Sequence, residues 1–174
     1  MNVLRCRVLF FLLTLIALPV FAKRAPNLDL KNLDGQKQKL ADLRGQIVVL
    51  NFWATWCAPC QEELPRLSSL AQDYSGKNVR FVAISIDEAK NHSKIQPTLE
   101  KENVKLETWV GATTDTMAGF GLGDIVPGTV IVDEQGEIIA RIMGEARDED
   151  VRSAVDWLLY GRNGPAPAAM TKRY

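Results

Sequence analysis

Cys57 and Cys60 stand two residues apart in the stretch WATWCAPC, Trp53 to Cys60, and three kinds of chemistry use that spacing. The first is a structural disulfide. Closing so small a loop removes little entropy from the unfolded chain, so such a bridge stabilises little. The second is half of a metal site. Zinc normally takes four ligands, and the chain offers only one further cysteine, Cys6, and one histidine, His92, in a polar middle segment. The third is a dithiol–disulfide redox couple, which requires a thiolate held where it is stabilised. The redox reading is preferred, with metal transfer through the pair as the alternative.

The elements around the pair bear on that choice. Gln46 to Trp53 contains IVVLNFW, a continuous run rich in β-branched and aromatic residues, as expected of a strand covered on both faces. Immediately after it Pro59 suits the first turn of a helix. Leu64, Leu67, Leu70, Ala71 and Tyr74 then recur at helical spacing until Ser75-Gly76, with Pro65 inside the helix as an expected kink. VRFVAISI, Val79 to Ile86, is a second buried strand, which completes a βαβ unit. Cys57 therefore falls where a buried strand ends and a helix begins, and Cys60 lies one turn further in. Helix N-termini present unpaired N–H groups and the positive end of the dipole, which favour thiolate over thiol. Cys57 is the expected nucleophile, with a lowered pKa, and Cys60 the less exposed thiol that resolves the mixed disulfide. No cofactor beyond a Cys57–Cys60 disulfide is expected.

The remaining chain is legible to different degrees. LDLKNLDGQKQKL alternates about Asp34-Gly35 and predicts an N-terminal hairpin. Asp87 to Phe120 is more polar and reads as an insertion, with a helix around Ser93 to Glu102, a short strand near Leu106 to Val110 and a short helix around Thr114 to Phe120. Thr129 to Val132 and Glu137 to Met143 predict a second hairpin, and Val151, Ala154, Val155, Leu158 and Leu159 a closing amphipathic helix. Lys23 to Asn27 reads as a polar linker. The fold class is α/β: a central mixed sheet flanked by helices, in one domain over residues 23–161, with a flexible tail over 162–174.

Residues 1–22 have a different character. Arg5 and Arg7 precede the apolar run Val8 to Ala22, which ends in Val20-Phe21-Ala22, the pattern of a secretory signal peptide. The run is shorter than the roughly 20 residues of a full membrane span. Cleavage after Ala22 is expected, with an uncleaved anchor over residues 8–22 as the alternative. Cleavage would remove Cys6 and leave one pair of cysteines in an oxidising, periplasmic or extracytoplasmic compartment, where disulfides persist. Without Arg5 and Arg7 the chain has 19 basic against 21 acidic side chains, so no basic face marks it for nucleic acid.

FWATWCAPC, following IVVLN and followed by QEELP, resembles the active site of the thioredoxin fold. More narrowly it is similar to the exported TlpA/ResA/DsbE-like thiol–disulfide oxidoreductases, a likeness that extends to the hairpin, the insertion and VPGTVIVDEQGEI. The resemblance implies a cis Pro127 beside the cysteines, with Val126 pairing its backbone to an extended substrate. It implies an acidic residue near the pair at Glu63, with Glu62 the adjacent competitor, able to exchange a proton with Cys60. It implies that Trp56 shields one side of the pair. Asn51 is a departure, because thioredoxin has a buried aspartate there and an amide cannot act as a base. Ala58-Pro59 places no histidine between the cysteines and no N–H before Cys60, which favours a reductant over a strong oxidant. Exported protein disulfides, among them the Cys-x-x-Cys-His segments of apocytochrome c, are the implied substrates, as in cytochrome c maturation. A membrane electron-transfer protein of the DsbD or CcdA type is the implied donor. The alternative function is a copper metallochaperone on the same fold. Proteins resembling Sco, however, have a longer cysteine spacing and a partner histidine, and His92 is poorly placed for that.

Overall fold

The computed structural model describes residues 23–174; the expected export segment, with Cys6, lies outside them. In chain order the strands are β1 (Lys23–Arg24), β2 (Asp29–Asn32), β3 (Lys37–Lys39), β4 (Ile47–Trp53), β5 (Val79–Ser85), β6 (Glu107–Val110), β7 (Gly128–Val132), β8 (Glu137–Gly144) and β9 (Thr171–Arg173). The helices are α1 (Ala58–Asp73), α2 (Ile95–Lys101), α3 (Thr114–Gly119) and α4 (Asp148–Leu159). Among the described residues no helix is long and apolar enough to cross a membrane.

All seven residues of β4 are buried, as expected of a strand covered on both faces, with Asn51 the one polar side chain among them. It pairs parallel with β5, Ile47 opposite Val79 through Trp53 opposite Ser85, and antiparallel with β7. The whole sheet runs β1-β8-β7-β4-β5-β6-β2-β3, with β9 also on β8. Alternation along β4 divides the core. Val48, Leu50 and Phe52 belong to one apolar cluster with Ile95, Met117 and Phe120. Ile47 and Val49 belong to a second, with Leu67, Leu70, Val151 and Val155 of α1 and α4. α1 begins with Pro59 in its first turn, where no N–H is needed, and includes Pro65, whose missing donor leaves the Gln61 carbonyl without its helical partner.

The N-terminal hairpin forms as β2 and β3 but does not stand apart: Lys31 and Asn32 pair with Val110 and Trp109, so the hairpin extends the sheet beyond β6. The single helix expected around Ser93 to Glu102 is divided into a 3₁₀ turn, Ala89–Lys94, and α2. α3 is capped by Thr113, whose hydroxyl accepts from the Thr116 N–H while Thr116 returns a bond to the Thr113 N–H.

Two segments differ from their sequence reading. Lys23 and Arg24, in the expected linker, pair with Ile138 and Glu137. Thr171 to Arg173, in the expected flexible tail, pair parallel with Ile142 to Gly144, and Arg173 forms a two-pronged bond with Asp150 at 2.6 and 3.0 Å. The cause is common to both. β8 would otherwise end the sheet with a row of unpaired backbone groups, and these polar segments satisfy opposite ends of it.

Candidate active site

β4 delivers the chain to the site. After Trp53 it turns tightly, the Cys57 N–H bonding the Ala54 carbonyl at 3.1 Å, and Cys57 becomes the N-cap of α1. Cys57 and Cys60 form a disulfide with Cα atoms 5.3 Å apart. The Cys57 Sγ also accepts from the Cys60 N–H at 3.2 Å, so the sulfur sits at the donor-rich end of the helix. Cys57 is 5% exposed and Cys60 0%.

One turn on from Cys60 and on the same buried side of α1 lies Glu63, while Glu62 faces solvent. The Glu63 carboxylate is enclosed completely and is held from two directions: Oε2 accepts from the Asn51 amide at 3.0 Å, and Oε1 from the Ala146 N–H at 2.7 Å. The Asn51 amide also donates to the Thr129 hydroxyl at 3.0 Å, and its Oδ1 has no partner. Burial raises the Glu63 pKa from 4.5 to about 7, opposed by the Ala146 and Asn51 hydrogen bonds and by the nearby charge of Arg66. Asn51, the departure seen in the sequence, therefore contacts the buried acid directly; the carboxylate sits on the helix, and the strand supplies its donor.

The Val126–Pro127 bond is cis. Gly128 begins β7 opposite Phe52, so Val126 and Pro127 lie just outside the ladder, at the end of the sheet where β4 releases the cysteine loop. Val126 shares an apolar cluster with Cys57 and Cys60. Trp56 is 66% exposed, whereas Trp53 is wholly buried in the core. A cavity of about 520 Å³ adjoins Trp56, lined by Ile86, Asp87, His92, Ala112 and Thr113 among others. His92 Nε2 hydrogen-bonds the Asp87 carbonyl at 3.0 Å. Among the described residues no three His, Cys, Asp or Glu side chains gather as a metal site. Thr129, Ala146 and the buried Asp87 were not marked by sequence reasoning. Only Asp87 carried a cue, as an acid directly after a buried strand.

A disulfide between two residues' spacing, set at the N-terminus of the helix that follows the central strand of a thioredoxin-like sheet, defines a thiol–disulfide oxidoreductase of that fold. Residues 21–141 match the AhpC/TSA family, and the chain belongs to it, on the TlpA/ResA/DsbE-like side. It is 31% identical over 129 residues to the thiol-disulfide oxidoreductase ResA of Bacillus cereus (strain ZK / E33L), covering 74% of this chain and 73% of that one. The thioredoxin-like protein YneN of Bacillus subtilis (strain 168) is 42% identical over 72 residues, 41% of this chain and 42% of its own. Among solved structures, DsbF of MTB, seen in mixed oxidised and reduced forms, superposes with a TM-score of 0.64 at 28% identity, covering 75% of this chain and 94% of that one. A thioredoxin family thiol:disulfide interchange protein of Chlorobium tepidum TLS gives 0.67 at 22% identity, 79% and 97% covered, a likeness of fold.

Proposed function

We propose that this chain is exported by residues 1–22 and acts outside the cytoplasm as a reductant of protein disulfides. The observation that carries the reading is the Cys57–Cys60 couple at the N-terminus of α1 with the buried carboxylate of Glu63 one turn behind it. In the reduced state the Cys57 thiolate attacks one sulfur of a substrate disulfide, forming a mixed disulfide and releasing the other substrate sulfur as a thiolate, which takes a proton from solvent. Cys60 then gives its proton to the Glu63 carboxylate and attacks the Cys57 sulfur. The second substrate sulfur leaves as a thiolate and takes the proton held on Glu63, directly or through solvent; the protein pair is oxidised, and the substrate has gained two electrons and two protons. Val126 and Pro127 offer the backbone beside which the substrate strand lies, and Trp56 covers the exposed side of the pair. The proposed substrates are exported proteins, apocytochrome c before haem attachment among them, and the proposed source of electrons is a membrane protein of the DsbD or CcdA type.

Trapping tests this. Cys60→Ser, expressed with its own leader, cannot resolve the mixed disulfide and is expected to accumulate covalently joined to its substrates through Cys57. Recovery of apocytochromes supports the maturation role and a broad set of exported proteins a general reductant. A reduced protein that binds copper(I) tightly, traps nothing and reduces no disulfide would overturn the reading in favour of a metallochaperone.

A further inference from the structure

β4 and β5 run parallel with Trp53 opposite Ser85, so two residues past their ends Thr55 and Asp87 come side by side. Asp87 is 2% exposed and belongs to neither the redox pair nor the Glu63 network. Its Oδ2 accepts from the Thr55 backbone N–H and from the Ser85 hydroxyl, both at 2.9 Å, and its Oδ1 accepts from the Thr55 hydroxyl at 2.7 Å. The Thr55 carbonyl in turn accepts from the Gln61 side chain, in the first turns of α1, at 2.7 Å. All three polar groups of Thr55 are thus held, two by the end of β5 and one by the helix that starts at the cysteines.

We propose that Asp87 is a positioning residue for the redox pair: by fixing Thr55 it fixes the Ala54–Cys57 turn and so the placement of the Cys57 sulfur at the N-terminus of α1. Between Thr55 and Cys57 lies only Trp56, largely in solvent, which cannot anchor the loop by burial. Without Asp87 the loop keeps two restraints, the Ala54–Cys57 turn and the Gln61 bond to the Thr55 carbonyl, both tied to the helix end itself, and the sulfur is freer to shift from the helix N–H groups that stabilise its thiolate. The reacting geometry tolerates little displacement.

The test compares Asp87→Ala with Asp87→Asn in the reduced protein, reading the Cys57 pKa from its alkylation rate against pH and the exchange rate with a small aromatic disulfide. Asp87→Ala is expected to raise the Cys57 pKa toward the free value of about 8.5 and to slow exchange at pH 7 about tenfold. Asp87→Asn restores both, because its Oδ1 accepts from the Thr55 N–H and the Ser85 hydroxyl while its amide donates to the Thr55 oxygen. Loss of a negative charge alone predicts the opposite sign, a lower Cys57 pKa in both variants. That result, or an unchanged pKa in a folded Asp87→Ala, overturns the proposal. Should Asp87→Ala not fold, Thr55→Val removes the hydroxyl tether and keeps the shape; it is expected to shift the pKa upward by less, and an unchanged value overturns the proposal equally. The proposal rests on Cys57 being the attacking thiol. Cys57→Ser tests that separately, since exchange persisting through Cys60 would defeat the assignment of roles while leaving the Thr55 tether in place.

Discussion

At the scale of single residues, Glu63 has the most to say about proton handling. Burial raises its pKa to about 7 from 4.5, so between those values the native state keeps a proton that the unfolded chain releases. Stability from this group is therefore fully present below about pH 4.5 and falls as the pH rises toward 7, by roughly 3 kcal/mol in all. Glu63→Gln has no such titration. Its carbonyl still accepts from the Ala146 N–H, and its amide donates to the Asn51 oxygen once the Asn51 amide turns over, the same turn letting that oxygen accept from the Thr129 hydroxyl. Urea unfolding from pH 4.5 to 7.5 is expected to show the variant gaining stability on the wild type as the pH rises, and parallel curves would disprove the assignment. If the carboxylate also receives the Cys60 proton, the variant slows the resolving step and leaves the first attack by Cys57 unaffected. The sequence marked Cys57 and Cys60 through their spacing and the strand-to-helix junction. Glu63 was preferred to Glu62 on the motif resemblance alone, and the structure shows the physical difference between the neighbours: Glu63 is on the buried side of α1 and Glu62 faces solvent. The sequence did not join Asn51 to Glu63, 12 residues apart, because that contact depends on α1 folding back over β4.

At the scale of elements, what the sequence displayed was set by how much side chain each element buries. β4, β5 and α1 carry unbroken or periodic apolar runs and could be read directly. β1 and β9 are two and three polar residues whose gain is backbone pairing alone, and no pattern announces them. The pairing of β9 rests on Gly144, whose φ of +90° disfavours a side chain and whose added Cβ would lie 2.8 Å from the Arg173 carbonyl oxygen. A backbone neighbour cannot swing aside as a side chain can. Gly144→Ala is thus expected to displace β9, loosen the Arg173–Asp150 bond and lower stability by about 1–2 kcal/mol. Hydrogen exchange is the measurement: amides of residues 171–173 should lose protection while those of β4 and β5 keep theirs. Unaltered protection over 171–173 would mean that this strand does not depend on the close approach at Gly144.

At the scale of the whole molecule, the redox couple and the fold are linked by a thermodynamic cycle. Reducing the pair in the native protein and in the unfolded chain differ in free energy by the stability difference between oxidised and reduced native states, about 1.4 kcal/mol for every 30 mV. A strong oxidant of this kind is one whose reduced form is the more stable, so that electrons are drawn in. A reductant requires the reverse. Nothing in the described site offers the reduced pair an additional cation: the residues between the cysteines are Ala58 and Pro59, and His92 is engaged with the Asp87 carbonyl. A buried carboxylate one turn from Cys60 would, when ionised, further disfavour a second negative charge there. The oxidised protein is therefore expected to unfold at a higher denaturant concentration than the reduced protein at pH 7. Paired denaturation curves, with and without excess dithiol, give the difference directly, and a glutathione or dithiothreitol redox titration gives the same quantity independently as a potential. Agreement between the two, with the oxidised form ahead, places the couple on the reducing side. A reduced form that outlasts the oxidised one would reverse the proposed direction of electron flow, leaving the fold, the family and the Cys57–Cys60 couple as they are.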